Sequence, residues 1–271
     1  MIKLPNKKTE EEIKLYKEYG PLFGEMLKEL RDKILTREIN NSEELLIDLP
    51  SRVNEWDYCF LWQENEYREK FKYPFCLSIN DTIGHGIPDI ESKDPYTFKD
   101  TDIISIDIGI FHKPSCLHFD AAFTVCKDPQ KQSFVNAPLD TIKLLSRHKN
   151  IKTTKDISQI IYYVPDDYGY DIVASIAGHG IGHSLHEPPK IYNIPINKNN
   201  YQLFDGIVFC IEPVYVEKEK NDSKVKIVDA YIDNKDNWSI KTVNGKSSTH
   251  WETMFLVEDN KLVDLLKISE W

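Results

Sequence analysis

Gly178–Pro189 reads GHGIGHSLHEPP. Three glycines in five residues, Gly178, Gly180 and Gly182, let the backbone turn sharply and approach other groups closely. The imidazoles of His179 and His186 stand on that turn, a placement suited to holding a metal ion or touching a small substrate. Histidine–glycine clusters also occur as plain loops, so the meaning of the run depends on its neighbours. It follows an Asp-rich hairpin and precedes an isolated Glu212-Pro213.

With 271 residues the chain has the length of one large domain or two small ones. A chain of that size buries roughly three quarters of its unfolded surface and needs no staples. A hydrophobic content of 41% with 29% charged residues is that of a soluble globular protein. The net charge of -10 works against non-specific nucleic-acid binding and against an anionic membrane surface. Cys59, Cys76, Cys116, Cys126 and Cys210 form no Cys-x-x-Cys pair and are odd in number, which fits reduced, mostly buried thiols. No secretory apolar core opens the chain, and no run of about 18 apolar residues follows. A soluble, cytoplasmic protein is expected.

Thr9 with Glu12 fits a capping box. Apolar residues then recur at Ile13, Tyr16, Phe23, Leu27, Leu30 and Ile34, which predicts a long amphipathic helix bent near Pro21. A second helix opens at Ser42 and runs to about Trp56. Beyond Tyr73 short apolar alternations predict strands: 74–80, then 102–111 and 119–126 as a hairpin joined by His112–Leu117. Helices are expected at 138–147 and 156–163, and single strands at 172–182, 206–216 and 250–259. The charged stretch 218–226 reads as a solvated hairpin tip; 236–242 and the final 262–268 complete the chain. No linker or repeat divides it, so a single α+β domain is expected, with a helical segment at 1–70 and a core at 71–271.

Four acids lie inside apolar strands: Asp107, Asp120, Glu212 and Glu252. Each alone is compatible with a strand residue facing solvent. Together they form a set, because buried acids persist when a cation neutralises them. Four carboxylates and one imidazole would compensate two divalent ions. Two such ions about 3.5–4 Å apart lower the pKa of a shared water, and a nearby carboxylate takes its proton.

The ordered set SINDTIGHGIPD (78–89), SIDIGIF (105–111), HFDAAFTV (118–125), GHGIGHSLHEPP (178–189), FCIEPVY (209–215) and HWETMFLV (250–257) resembles the methionine aminopeptidases, specifically the type I enzymes. The resemblance covers about Cys76 to Val257. It implies the pita-bread fold, a curved antiparallel sheet with pseudo-two-fold symmetry and helices on its convex face. It implies that Asp107 chelates one metal, that Asp120 and Glu252 bridge both, and that His179 and Glu212 complete the other. Glu212 would be the general base. His85 would lie beside the substrate's amino end, and His186 would contact the scissile carbonyl. The methionine pocket would be built from Cys76, Leu185 and Trp238, with Phe71 or Tyr73 before them. The activity implied is removal of initiator methionine from nascent proteins and peptides when the next residue is small. The cofactor would be two divalent ions, Co, Mn, Fe or Zn. A cytoplasmic monomer visiting the ribosome is the family's pattern, although the acidic charge gives no electrostatic hold on ribosomal RNA.

Three features depart from the pattern. The hairpin from Asp107 to Asp120 is two residues longer than usual, and an even insertion keeps Asp120 on the same face. Phe119 stands where glycine is usual and should point away from the metals. His250 stands where glutamine is common and could add an imidazole close to them. Two other readings stay open: an aminopeptidase P or prolidase acting at Xaa-Pro bonds, and a non-catalytic binding protein of the same fold. The first usually carries a sizeable N-terminal domain, and the second has typically lost ligands that stand intact here.

Overall fold

A computed structural model of the chain describes residues 5–55, 58–60, 73, 75–89, 93–197, 200–218 and 224–271. Trp56, Phe71 and the 219–223 part of the charged tip lie outside these residues. Helix α1 (Glu10–Thr36) starts at Thr9, whose hydroxyl accepts the Glu12 amide while the Glu12 carboxylate accepts the Thr9 amide. It continues on both sides of Pro21, because Tyr16, Phe23 and Leu27 bury one face of both flanks in the same core. Helix α2 is Ser42–Glu55.

Helices α3 (Gln132–Arg147) and α4 (Thr154–Tyr168) are longer than the sequence reading and hold Pro138 and Pro165 inside them. For α3 the apolar face extends upstream of the proline through buried Phe134, Val135 and Ala137. For α4 a Thr153–Asp156 capping box moves the start back, and Gly169 at φ 75 closes the end.

The strands in chain order are β1 (Tyr58–Phe60), β2 (Cys76–Ile79), β3 (Thr82–Gly84), β4 (Ile104–His112), β5 (Leu117–Val125), β6 (Asp171–Val173), β7 (Ala177–Gly180) and β8 (Glu187–Tyr192). They continue as β9 (Val208–Ile211), β10 (Val214–Val216), β11 (Ile227–Val228), β12 (Ala230–Ile232), β13 (Ile240–Thr242), β14 (Ser248–His250), β15 (Thr253–Glu258) and β16 (Lys261–Asp264). One sheet centres on β4, paired with β1, β2 and β5. A second runs β16-β15-β9-β7-β8, a third β11-β6-β10-β14, and a small one β12-β13-β3. Pairing among them is antiparallel except for β6 with β11.

Three segments that read as single strands are each two strands in different sheets. The 172–182 segment is split between β6 and β7, the 206–216 segment between β9 and β10, and the 250–259 segment between β14 and β15. Hydrophobicity is continuous across each break, so periodicity alone does not show it. The middle break has a local cause: Pro213 has no amide to carry the ladder past Glu212.

Buried Asn193 satisfies two freed carbonyls, donating to Glu212 O at 3.0 Å and to Val173 O at 3.4 Å. Glu252, at the third break, exchanges both main-chain hydrogen bonds with Ala122 of β5. At the second and third breaks an acidic residue, Glu212 or Glu252, therefore stands where the sheets part, with its main chain still hydrogen-bonded. The large core packs α1, α3 and α4 against these sheets, with a smaller cluster around Ile83, Val173 and Val214. Among the described residues no helix is long and apolar enough to cross a membrane.

Candidate metal centre

In the β4–β5 register Asp107 stands opposite Ala122, and Gly109 opposite Asp120. Residues facing each other across a ladder share a face, so the two aspartates are diagonal neighbours on the inner one. The two strands are joined by a turn at 113–116. Phe119 points outward, its ring 5.1 Å from that of Tyr16 and 6.4 Å from that of Phe23 in α1. Helix α1 thus covers the face opposite the aspartates.

His179 enters from β7. Its Nδ1 lies 3.0 Å from Gly180 O, and a carbonyl only accepts, so Nδ1 carries the proton. Nε2 is then the nitrogen turned toward the acids, facing Asp120 Oδ2 at 3.5 Å and Glu252 Oε1 at 3.7 Å. The glycines on either side make this possible: a Cβ on Gly178 would strike the Cys210 carbonyl, and one on Gly180 the Pro188 carbonyl. Glu212 and Glu252 arrive from the sheet breaks beside β9 and β15. His250 places Nε2 3.8 Å from Glu212 Oε2.

The acids are held at an electrostatic cost. Burial, then repulsion by Asp120 and Glu212, pushes the Asp107 carboxyl well above its usual range. Burial and the neighbouring acids do the same to Glu252. Burial raises Glu212 to about 7, with Asp120 adding to the rise and His179 and Lys190 opposing it. Burial alone would lower His179, but the hydrogen bond and charge of Asp120 and the charge of Glu212 raise it. Burial brings His250 down to about 4.

Asp120 Oδ1 and Glu252 Oε1 have no hydrogen-bond partner among the described residues. Unpaired buried acid oxygens are expensive. Ligand atoms of Asp120, His179, Cys210 and Glu252 lie within 4.8 Å of one another, as do those of Glu212, His250 and Glu252. The donor set therefore fits divalent cations.

These groups open on a cavity of about 770 Å³ lined by Asp107, Asp120, His179, Glu212 and Glu252, with His85 and His186 at its sides. His85 has φ 54 and stacks on Trp238 with ring centroids 5.2 Å apart. Its surface is exposed to the open cavity, yet the protein crowds the ring enough to lower its pKa by desolvation. His186 is exposed, and the residue after it, Glu187, pairs with buried Lys8 at 2.8 Å and fixes the end of the loop. Cys76 lies opposite Asp107 in the β2–β4 register, and Leu185 is buried.

Three further residues belong to this region. Cys210 places its Sγ within 4.8 Å of ligand atoms of Asp120, His179 and Glu252. It lies two residues before Glu212, and strand alternation is the signal that finds it. Lys190 pairs across from His179 and lines the cavity. Asn193 had no signal in sequence, since its work is to bridge two sheet breaks.

Residues 25–259 match the model of metallopeptidase family M24. The chain belongs to that family. Methionine aminopeptidase of Mycoplasmoides gallisepticum is 29% identical over 269 residues, 96% of each chain. That of Mycoplasma genitalium is 30% identical over 191 residues, 68% of this chain and 70% of the relative. The crystal structure of methionine aminopeptidase from Rickettsia prowazekii superposes with a TM-score of 0.81 at 19% identity, covering 97% of this chain and 100% of that one. The pita-bread fold implied by the sequence resemblance is the fold observed.

Proposed function

We propose that this M24 chain is a methionine aminopeptidase, releasing the initiator methionine of nascent proteins and peptides when the second residue is small. The observation that carries it is the convergence of Asp107, Asp120, His179, Glu212 and Glu252 on one cavity flanked by His85 and His186. Asp107, Asp120 and Glu252 would hold one divalent ion, and Asp120, His179, Glu212 and Glu252 the other. The ions, of Co, Mn, Fe or Zn type, supply Lewis-acid activation of water and carbonyl when bound.

The chain's own groups do the rest. Glu212 accepts the proton of the attacking water and passes it toward the departing amine as the C–N bond breaks. His186 donates a hydrogen bond to the carbonyl oxygen as negative charge develops there. His85, fixed by its stack on Trp238, positions the substrate's amino end. Cys76, Leu185 and Trp238 border the methionine side chain. An apolar pocket discriminates by only about 1–3 kcal/mol per methylene, so pocket shape carries part of the selectivity. Work on nascent chains as a cytoplasmic monomer is in keeping with four described cysteines free of disulfides.

Purified protein with added Mn(II) or Co(II) is assayed on Met-Ala-Ser, Leu-Ala-Ser and Lys-Pro-Ala. Release of methionine from the first alone is expected. Cleavage solely before proline overturns the proposal in favour of an Xaa-Pro enzyme. No cleavage, with no metal retained, overturns it in favour of a binding protein.

A further inference from the structure

We propose that His250 is a sixth protein ligand of the metal centre, its Nε2 reaching the ion shared by Glu212 and Glu252. The proposal rests on the reading of that centre given above. His250 ends β14, two residues before Glu252, and is 3% exposed. Its main chain is clamped on both sides by Thr124, whose Oγ1 accepts the His250 amide at 2.9 Å and donates to its carbonyl at 2.5 Å. Ser105 backs Thr124 at 2.8 Å. The ring is thus presented from a fixed point on the wall.

Its Nε2 is fully buried and has no hydrogen-bond partner among the described residues. A buried polar atom left so costs about 1–3 kcal/mol. The nearest acid oxygen, Glu212 Oε2 at 3.8 Å, is too far for a hydrogen bond. The distance does match another kind of neighbour. Two atoms each about 2.1 Å from one ion stand roughly 3.0–3.8 Å apart for angles of about 90–130°. His179 Nε2 keeps 3.5 and 3.7 Å from Asp120 and Glu252. His250 stands to Glu212 as His179 stands to Glu252, and all three of Glu212, His250 and Glu252 offer atoms within 4.8 Å of one another.

A second imidazole makes the donor set richer in nitrogen. Imidazole suits Zn and Fe, whereas carboxylate oxygen suits Mn. His250 therefore shifts the centre's preference away from Mn.

The test uses the full chain loaded with Co(II). Proton NMR in water reads the exchangeable, paramagnetically shifted imidazole N–H signals, and calorimetry reads ion count and affinity. Two such signals are expected, one each from His179 and His250. His250→Gln, with its folded state checked by circular dichroism, should lose one signal. It should also weaken one ion by more than about 100-fold, beyond the roughly 10–100-fold that loss of an outer-shell partner costs. Two bound ions with one signal in the wild type overturn the assignment of His250 and leave the five-residue centre standing. No bound Co(II) overturns both.

Discussion

The rings of His179 and His186 meet edge to face, with centroids 4.4 Å apart and planes at 66°. One is buried among acids and the other is exposed to the cavity. Six residues, Gly180 to Leu185, separate them in sequence, and the turn among these brings the rings back into contact. On the function proposed above, the buried ring would hold an ion while its exposed neighbour faces the bond being cleaved.

That division predicts the behaviour of His186→Ala. Metal content should be unchanged, while kcat falls by about 10²–10³, the usual loss for one oxyanion donor. Metal analysis beside steady-state kinetics checks it. Loss of both ions in this variant would contradict the role given to His186.

Asp120 differs in kind. Its oxygens face His179 at 3.5 Å on one side and have no partner on the other. Asp120→Asn should lower the ion count per chain and nearly abolish turnover. A variant with full activity and two ions would remove Asp120 from the centre.

The raised carboxyls give the metal-free protein a distinctive pH dependence. Glu212 is raised from the ordinary carboxylate value of 4.5 to about 7 in the folded chain. A group raised on folding contributes stability that is fully present below its unfolded pKa and lost as pH rises through the folded one. Asp107 and Glu252 shift in the same direction. Without metal, stability should therefore fall between about pH 4.5 and 7, with Glu212 alone contributing on the order of 3 kcal/mol. Bound cations favour the charged acids, so added Co(II) should raise Tm most at the upper end. Thermal melts with chelator and with metal read this, and a chelated protein that gains stability from pH 5 to 8 would refute it.

Much of this site was legible in the sequence because its acids interrupt apolar runs. Asp107 and Asp120 sit in a hairpin whose alternation placed both on one face and turned Phe119 away. The sheet breaks were not legible. Ile211 and Val214 look like one strand, and only Pro213 between them marks the change of sheet. Helix ends were misplaced at Pro138 and Pro165 because burial of one face outweighs the missing amide. The role of Asn193 depends on two carbonyls 39 residues apart, Val173 and Glu212, and no local pattern records that.

Asn193→Ala tests the bridge directly. It strips the side-chain donor from both carbonyls, with a cost of about 1–3 kcal/mol for buried groups left unpaired. In a chain of this size that is roughly 2–12 °C in Tm. Metal affinity should fall as well, since Glu212 is held by the same bond. A variant with unchanged Tm and affinity would show the bridge to be dispensable.

Phe119 provides the opposite case, a residue beside Asp120 that takes no part in the chemistry proposed for it. Its ring packs on Tyr16 and Phe23, on the far side of β5 from Asp120. Phe119→Ala should cost about 3–5 kcal/mol through the cavity it leaves. At roughly 2–4 °C per kcal/mol, Tm should drop by about 6–20 °C. Below the new transition the ion count and the ratio of kcat/KM for Met-Ala-Ser over Leu-Ala-Ser should equal those of the wild type. A changed ratio with Tm intact would place Phe119 in the cleft wall rather than under α1.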